Sequence, residues 1–153
     1  GLAVSPEALL EHKRRVFRRL IAEQLGPIPG SVEALARLDS LPLGVATSSS
    51  RSEAELMLGI LGISNRFRTL VTGDEVEHSK PEPDSYLLAS ERLGIPTRYC
   101  VAIEDSASGV HSAREAGLTV LAVTNSLPAE RLAEAHHILS STPEAVAWIA
   151  TRI

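Results

Sequence analysis

The sequence predicts an α/β protein in which helices cover both faces of a parallel sheet. Short apolar segments without polar alternation recur along the chain, as is typical of strands buried on both faces. They alternate with segments of helical apolar spacing, and this order favours right-handed crossovers between parallel strands. The clearest strand segment, 100–103, is followed directly by two carboxylates, Glu104 and Asp105. In open α/β sheets, ligands bind at this carboxyl end of the strands.

Length and composition indicate a soluble globular protein. The chain has 153 residues, of which 44% are hydrophobic and 22% charged. The net charge is −4, with no long charged block and no apolar run that could span a bilayer, so neither nucleic acid nor a membrane is an expected partner. The only cysteine, Cys100, falls in a predicted strand and is expected to be a core residue rather than a nucleophile. These features predict a cytoplasmic protein.

The predicted elements divide the chain at a segment rich in proline and glycine. Ser5 and Pro6 open a helix that runs to about Gln24, and residues 26–30 then end it. The basic cluster at 12–19 is expected to be a solvated face; the alternative is that one or two cations, Lys13 among them, face an anionic substrate. The remaining predictions are helices at 31–38, 52–61, 84–93, 110–116 and 143–149, and strands at 42–46, 70–72, 100–103, 119–123 and 137–139.

Polar side chains cluster where predicted strands end or helices begin. Thr47 and Ser48 lie between a strand and a helix, where hydroxyls and free N–H groups form an anion site; the alternative is a simple helix cap. Lys80, one of two lysines beside thirteen arginines, lies close to two prolines that make its backbone rigid. It would supply a compact positive charge to the site. The alternative is that it is an ordinary surface lysine.

Glu104 and Asp105 are adjacent carboxylates that repel each other and therefore require a cation. Mg²⁺ commonly takes one or two protein carboxylates and completes its shell with phosphate and water. The alternative is that Asp105 caps the following helix. Together, the three clusters predict a site for a phosphate, a lysine and a divalent metal.

Three segments resemble motifs of the haloacid dehalogenase superfamily, in the branch with a small helical cap that includes β-phosphoglucomutase-like and phosphoglycolate phosphatase-like enzymes. Residues 45–49 resemble the second motif, residues 79–84 the third and residues 103–109 the fourth, in the family's order. The resemblance covers nearly all of residues 5–150. It implies a Mg²⁺-dependent phosphatase or phosphomutase that acts on a small phosphorylated metabolite through a phospho-aspartyl intermediate.

The resemblance also implies a role for each site residue. Thr47 and the Ser48 N–H would hold the phosphate, while Lys80 would neutralise the phosphate and the nucleophile. Thr47 and Lys80 are thus the expected catalytic residues. Asp105 would bind Mg²⁺. Glu104 would either bind the metal as well or orient groups in the same coordination shell. Because the fourth motif looks phosphatase-like, the dehalogenase chemistry of some relatives is disfavoured.

The family's first motif, Asp-x-Asp-Gly-Thr, does not occur in this sequence. No aspartate precedes Asp39, and no Asp-x-Asp pair occurs anywhere. In the family the first aspartate forms the phospho-aspartyl intermediate and the second is the general acid and base. The resemblance therefore implies the C-terminal remnant of a helical cap over 1–27 and an incomplete Rossmannoid α/β core over 28–153. We expect such a C-terminal portion of an enzyme to be inactive alone.

The strand that carries the first motif is central in the family fold, between the strands that end at Thr47 and Asp105. A buried backbone group left unpaired costs roughly 1–3 kcal/mol. We therefore expect these two strands either to pair directly or to borrow a strand, in a homo-oligomer or from a strand-completing partner. The alternative function is a truncated, non-catalytic phosphate-binding or interaction protein that oligomerises.

Overall fold

The structure is a computed structural model that describes residues 5–152, and it confirms the predicted α/β class. Helices and strands alternate along the chain, with short 3₁₀ turns between several of them. The helices are α1 (Pro6–Gln24), α2 (Ser31–Leu35), α3 (Arg51–Ile60), α4 (Asp84–Leu93), α5 (Ala107–Glu115) and α6 (Thr142–Ala150). The strands are β1 (Gly44–Ala46), β2 (Thr69–Val71), β3 (Val101–Glu104), β4 (Thr119–Val123) and β5 (His137–Leu139).

The strands form two parallel sheets rather than one. β1 pairs with β2, and β3 pairs with β4, which pairs in turn with β5. Within residues 5–152, β1 and β3 do not pair with each other. The expectation that these two strands would close the gap directly is therefore wrong for the described chain. The alternative, a borrowed strand, stays a prediction.

Two apolar clusters cover the two faces of the three-stranded sheet. Successive residues of β4 contribute to opposite clusters, as the two-residue period of a strand requires. Val120 and Ala122 pack with Val110 and residues of α4 and α5 on one face. Leu121 and Val123 pack with residues of α2 and α6 on the other face. β4 is thus the buried centre of the fold.

Most helix boundaries follow local capping. Ser5 accepts a hydrogen bond from the Ala8 N–H at 3.2 Å, and α1 covers the predicted residues 6–24. The predicted helix 31–38 is α2 followed by a 3₁₀ turn at Ala36–Leu38. α5 begins at Ala107 rather than at the predicted residue 110, because the Ser106 hydroxyl accepts from the Gly109 N–H at 3.1 Å and so caps the helix earlier.

β3 is shifted by one residue from its predicted position. Cys100 lies just outside the strand, because its N–H donates to the Thr97 carbonyl at 2.9 Å and closes a turn. Glu104 is the last residue of β3 rather than the residue after it. Val101 is 40% exposed and Ile103 is half-buried, so the strand is not buried on both faces as predicted. Among the described residues, β3 pairs with β4 on one edge and with no strand on the other.

Helix α1 contacts α3, and most of its residues are exposed. Ile21 is its buried apolar residue, whereas Leu9, Leu10, Phe17 and Leu20 are between 38% and 62% exposed. The Arg18 guanidinium donates to the Ser52 hydroxyl at 3.3 Å, which links α1 to the start of α3. Within residues 5–152, no helix has the length and apolar character needed to cross a bilayer.

Candidate functional site

The loop after β1 presents hydroxyls and backbone N–H groups. The Thr47 N–H donates to the Val71 carbonyl at 2.9 Å, which continues the β1–β2 ladder. The Thr47 hydroxyl accepts from the Ser49 N–H at 3.1 Å, and the Ser50 N–H donates to Glu53 at 3.2 Å. No acceptor among residues 5–152 bonds the Ser48 N–H. The loop is therefore ordered by its neighbours and leaves a backbone donor for an anion.

A turn after β2 supports this loop. The sequence predicts a polar loop from Gly73 to Ser79, but not its contact with the loop after β1. The Gly73 N–H donates to the Ser49 carbonyl at 3.0 Å. A Cβ on Gly73 would lie 2.6 Å from the Ser48 carbonyl oxygen, so this close approach requires glycine. The Arg51 N–H, at the start of α3, donates to Asp74 at 2.8 Å.

Glu75, in the same turn, accepts hydrogen bonds from three residues. It accepts from the Thr72 N–H at 3.0 Å, from Arg92 of α4 at 2.9 Å, and from Arg51 of α3. Burial raises the pKa of Glu75, but the hydrogen bonds from Arg92, Thr72 and Arg51 outweigh this effect and lower it to about 2. Glu75 thus holds α3 and α4 in place around the loop that follows β1.

Lys80 is enclosed beneath the ends of β1 and β3. Its side chain is 11% exposed. The ammonium donates to the Ala46 carbonyl at 3.1 Å and contacts the Tyr86 hydroxyl at 3.3 Å and the Glu104 carboxylate. It also lies 4.7 Å from the centre of the Tyr86 ring. The Lys80–Pro81 bond is cis. Lys80 is therefore not a surface lysine.

Glu104 is the buried partner of Lys80. Its side chain is 8% exposed, and one oxygen, Oε1, accepts from both Lys80 and the Tyr86 hydroxyl. The other, Oε2, accepts from the Ser106 hydroxyl at 3.2 Å and from the Asp105 N–H at 3.3 Å. Burial and the neighbouring Glu104 carboxylate raise the pKa of Tyr86, so its hydroxyl stays protonated and donates.

Gly109 makes room for the Glu104 carboxylate. A Cβ at this position would lie 2.1 Å from the Glu104 carboxyl carbon. Glu104 therefore packs directly against the first turn of α5, where the helix dipole stabilises negative charge.

Asp105 is the half-buried carboxylate of the pair. It accepts a hydrogen bond from the Ser126 hydroxyl. Within residues 5–152, no group of three or more His, Cys, Asp or Glu side chains is arranged to hold a metal ion. The carboxylates present nevertheless fit Mg²⁺, which binds proteins through one or two carboxylates and takes its other ligands from phosphate and water.

A cavity of about 790 Å³ connects all the predicted site residues. It lies between β1 and β3. Its polar end is at the carboxyl ends of these strands, and the rest of its wall is mainly apolar. The polar residues that line it are Thr47, Ser48, Lys80, Glu104, Asp105, Ser106 and Ser108. The structure thus brings the three predicted clusters together.

Other candidates from the sequence lie elsewhere or have structural roles. Lys13 is exposed on α1, and nothing in the structure tests the alternative that it faces a substrate. His136 accepts from the Val120 N–H at 3.0 Å, and the His137 ring packs at a tilt against Trp148 with ring centres 4.9 Å apart. Cys100 is half-buried, and burial raises the pKa of its thiol, as expected of a residue that is not a nucleophile.

Comparison with known proteins finds phosphatases of similar sequence. The chain is 32% identical over 120 residues to the fructose-1-phosphate phosphatase YqaB of Escherichia coli (strain K12), covering 78% of this chain and 64% of that protein. It is 38% identical over 140 residues to a phosphorylated carbohydrates phosphatase of Thermotoga maritima, covering 89% of this chain and 63% of that protein. The chain thus spans less than two thirds of the length of these relatives.

A solved structure agrees with the sequence matches. CbbY from Rhodobacter sphaeroides, in complex with phosphate, superposes with a TM-score of 0.81 and 32% identity, covering 93% of this chain and 67% of that one. The sequence pattern of the haloacid dehalogenase-like hydrolases matches residues 3–123. This match covers most of the chain, which therefore belongs to the haloacid dehalogenase-like hydrolase family.

Proposed function

We propose that this chain is the C-terminal portion of a Mg²⁺-dependent phosphatase or phosphomutase that acts on a phosphorylated carbohydrate. The observation that carries the proposal is the convergence of Thr47, Ser48, Lys80 and the Glu104–Asp105 pair at one end of a cavity. The relatives named above, which include phosphatases of fructose 1-phosphate and of phosphorylated carbohydrates, support the substrate class.

Thr47, the Ser48 N–H and Lys80 bind the phosphate in this proposal. The Ser48 N–H is the backbone donor that the loop leaves available. Lys80 already has three partners for its three N–H donors, so it must exchange one of them for a phosphate oxygen. The Ala46 carbonyl and the Tyr86 hydroxyl are uncharged, so losing one of these costs less than losing Glu104.

Asp105 is the main proposed ligand for Mg²⁺, with Glu104 beside it. Lys80 balances the charge of Glu104, whereas Asp105 contacts the neutral Ser126. The metal, when bound, supplies positive charge that polarises the phosphoryl group. Glu104 orients the site by holding Lys80 and the first turn of α5.

The nucleophile in this proposal lies outside the 153 residues. The four aspartates of the sequence are Asp39, Asp74, Asp84 and Asp105. Asp39 pairs with Arg66, Asp74 accepts from the Arg51 N–H, and Asp84 accepts from the His78 N–H at 3.1 Å. Asp105 is assigned to the metal. The chain alone should therefore bind phosphate without hydrolysing an ester.

The proposal is tested by comparing binding and turnover in the same chain. Inorganic phosphate is titrated into the ¹⁵N-labelled 153-residue chain with Mg²⁺, and the amide shifts of Ser48 and Ser49 are followed by NMR. We expect saturable shifts at these amides and no Mg²⁺-dependent hydrolysis of fructose 1-phosphate. Lys80→Met should weaken phosphate binding by about tenfold or more, because a charge-assisted hydrogen bond contributes roughly 1.5–3 kcal/mol.

The other lysine of the chain provides the matched control. Lys13→Met, on the exposed face of α1, should leave phosphate binding unchanged. The assignment of the phosphate site is contradicted if the Ser48 and Ser49 amides do not respond, or if both lysine variants bind phosphate equally well. Ester hydrolysis by the pure chain, retained after a second chromatographic step, contradicts the external nucleophile.

A further inference from the structure

The loop that follows β4 is held in place on both sides of Ser126. β3 and β4 are parallel and stay in register to the end of β3, so their following loops leave the sheet at the same edge. Before Ser126, the Thr124 N–H bonds to the Leu139 carbonyl at 3.0 Å. After it, Leu127 packs against the apolar cluster that β4 shares with α4 and α5. Ser126 therefore has a defined position beside the loop that carries Asp105.

The Ser126 hydroxyl is the hydrogen-bond partner of the Asp105 carboxylate, and it donates to Oδ2. Within residues 5–152, no other N–H or O–H group donates to this carboxylate, and no Lys, Arg or His side chain forms an ion pair with it. The two oxygens of Glu104, by contrast, each accept from two donors. Asp105 is therefore oriented through a single bond, and its second oxygen, Oδ1, has no donor among the described residues.

Ser126 bonds Asp105 from outside the cavity between β1 and β3. Asp105 lines that cavity together with Thr47, Ser48 and Lys80, whereas Ser126 is exposed and is not among the described residues that line it. The hydroxyl therefore takes no space that a phosphate or a metal ion needs. Carboxylates that bind metals are commonly held by a hydrogen bond of this kind, which fixes their orientation.

We propose that Ser126 is a positioning residue for the metal site: its hydroxyl holds Oδ2 of Asp105 and leaves Oδ1 free for a divalent cation. The inference rests on the proposed function, because it takes Asp105 as a ligand for Mg²⁺. It deepens that proposal by adding a residue from outside the three sequence motifs. Removing a hydrogen bond that orients a metal ligand costs roughly 10–100-fold in metal affinity. The expected effect of losing the hydroxyl is therefore weaker binding of Mg²⁺ by a chain that still folds.

Binding of Mg²⁺ alone to the 153-residue chain tests the proposal without phosphate and without turnover. The chain is labelled with ¹³C at its aspartate carboxyl carbons, and the Asp105 signal is assigned by its loss in Asp105→Asn. We expect this signal to shift saturably as Mg²⁺ is added to the wild-type chain. Ser126→Ala should raise the Kd for Mg²⁺ by at least about tenfold. Ser126→Thr keeps the hydroxyl and should restore most of the affinity.

Ser140 provides the matched control for the loss of a serine hydroxyl. It is also exposed, it directly follows β5, and its hydroxyl donates to the Glu144 carboxylate at 2.8 Å. Ser140→Ala removes the same kind of bond away from the cavity and should leave the Kd for Mg²⁺ unchanged. In the metal-free chain, Ser126→Ala should move the carboxyl signal of Asp105 and leave those of the other three aspartates in place. A general loss of structure would move all four.

The possible failures of this inference and of the proposed function are distinguishable. If the wild-type Asp105 signal does not respond to Mg²⁺, the metal assignment in the proposed function fails, and the role of Ser126 fails with it. If the wild-type chain binds Mg²⁺ and Ser126→Ala binds it equally well, the positioning role alone is overturned. It is also overturned if Ser126→Thr binds as weakly as Ser126→Ala, or if Ser140→Ala weakens binding to the same extent, because the loss would then not depend on the hydroxyl at Asp105.

Discussion

At the scale of single residues, the main feature is the buried ion pair between Lys80 and Glu104. Both side chains are nearly enclosed, and removing two charges from water costs several kcal/mol per ion unless other hydrogen bonds compensate. Here Tyr86, Ser106 and the Ala46 carbonyl provide them. The pair therefore depends on the exact position of the Glu104 carboxylate, which Gly109 permits.

Gly109→Ala should disrupt this pair. The new Cβ would overlap the Glu104 carboxylate, so the side chain must move away from Lys80 or α5 must shift. We expect a loss of about 1–3 kcal/mol in the free energy of unfolding, as is typical of overpacking. Urea denaturation measures it. Gly59→Ala is the control: this helical glycine has open space around it and should gain about 0.5–1 kcal/mol. Equal stability of the two variants would contradict the assigned contact.

At the scale of elements, Glu75 connects the turn after β2 to α3 and α4. Glu75→Gln keeps the shape but removes the charge that Arg51 and Arg92 pair with. At pH 7 we expect a loss of about 1–3 kcal/mol in unfolding free energy, because the lost hydrogen bonds are charge-assisted. The exposed Glu77→Gln is the control and should change the unfolding free energy by less than about 0.5 kcal/mol.

The pH dependence of this contribution has a defined sign. The pKa of Glu75 falls from its ordinary 4.5 to about 2 on folding. A lowered pKa means that the stabilisation is complete above pH 4.5 and decreases as the pH falls towards 2. The difference in Tm between the wild-type chain and Glu75→Gln should therefore shrink over this range. A difference that stays constant from pH 7 to pH 3 would contradict the ionised hydrogen-bond network.

The same elements show what the sequence can and cannot predict. α1, β4 and β5 have their predicted bounds, because helix caps and apolar periodicity are local signals. The candidate site residues Thr47, Lys80 and Asp105 were also predicted, since their motifs are contiguous. The supporting roles of Glu75, Tyr86 and Gly109 were not predicted, because they depend on contacts that only the folded chain defines. The sequence placed Lys80 and Glu104 in one predicted site, but it did not indicate that the two side chains would form a direct ion pair.

At the scale of the whole molecule, the cavity between β1 and β3 separates two parts of unequal burial. β4 pairs on both sides, and its residues 120–122 are completely buried. β1 pairs on one side only; Gly44 is exposed, and Val45 and Ala46 are half-buried. The cost of opening a region depends on its buried apolar contacts. The part that contains β1 and β2 should therefore open more readily than the part that contains β4.

Native-state hydrogen exchange on two matched threonines measures this difference. The Thr47 N–H bonds to the Val71 carbonyl at 2.9 Å, and the Thr124 N–H bonds to the Leu139 carbonyl at 3.0 Å. Both amides are half-buried and their hydrogen bonds are similar, so any difference in protection reports the opening of the surrounding structure. We expect an opening constant at least about tenfold larger for Thr47, with weak dependence on denaturant, whereas Thr124 should require global unfolding. Equal opening constants with equal denaturant dependence would mean that the molecule unfolds as one cooperative unit despite the cavity between β1 and β3.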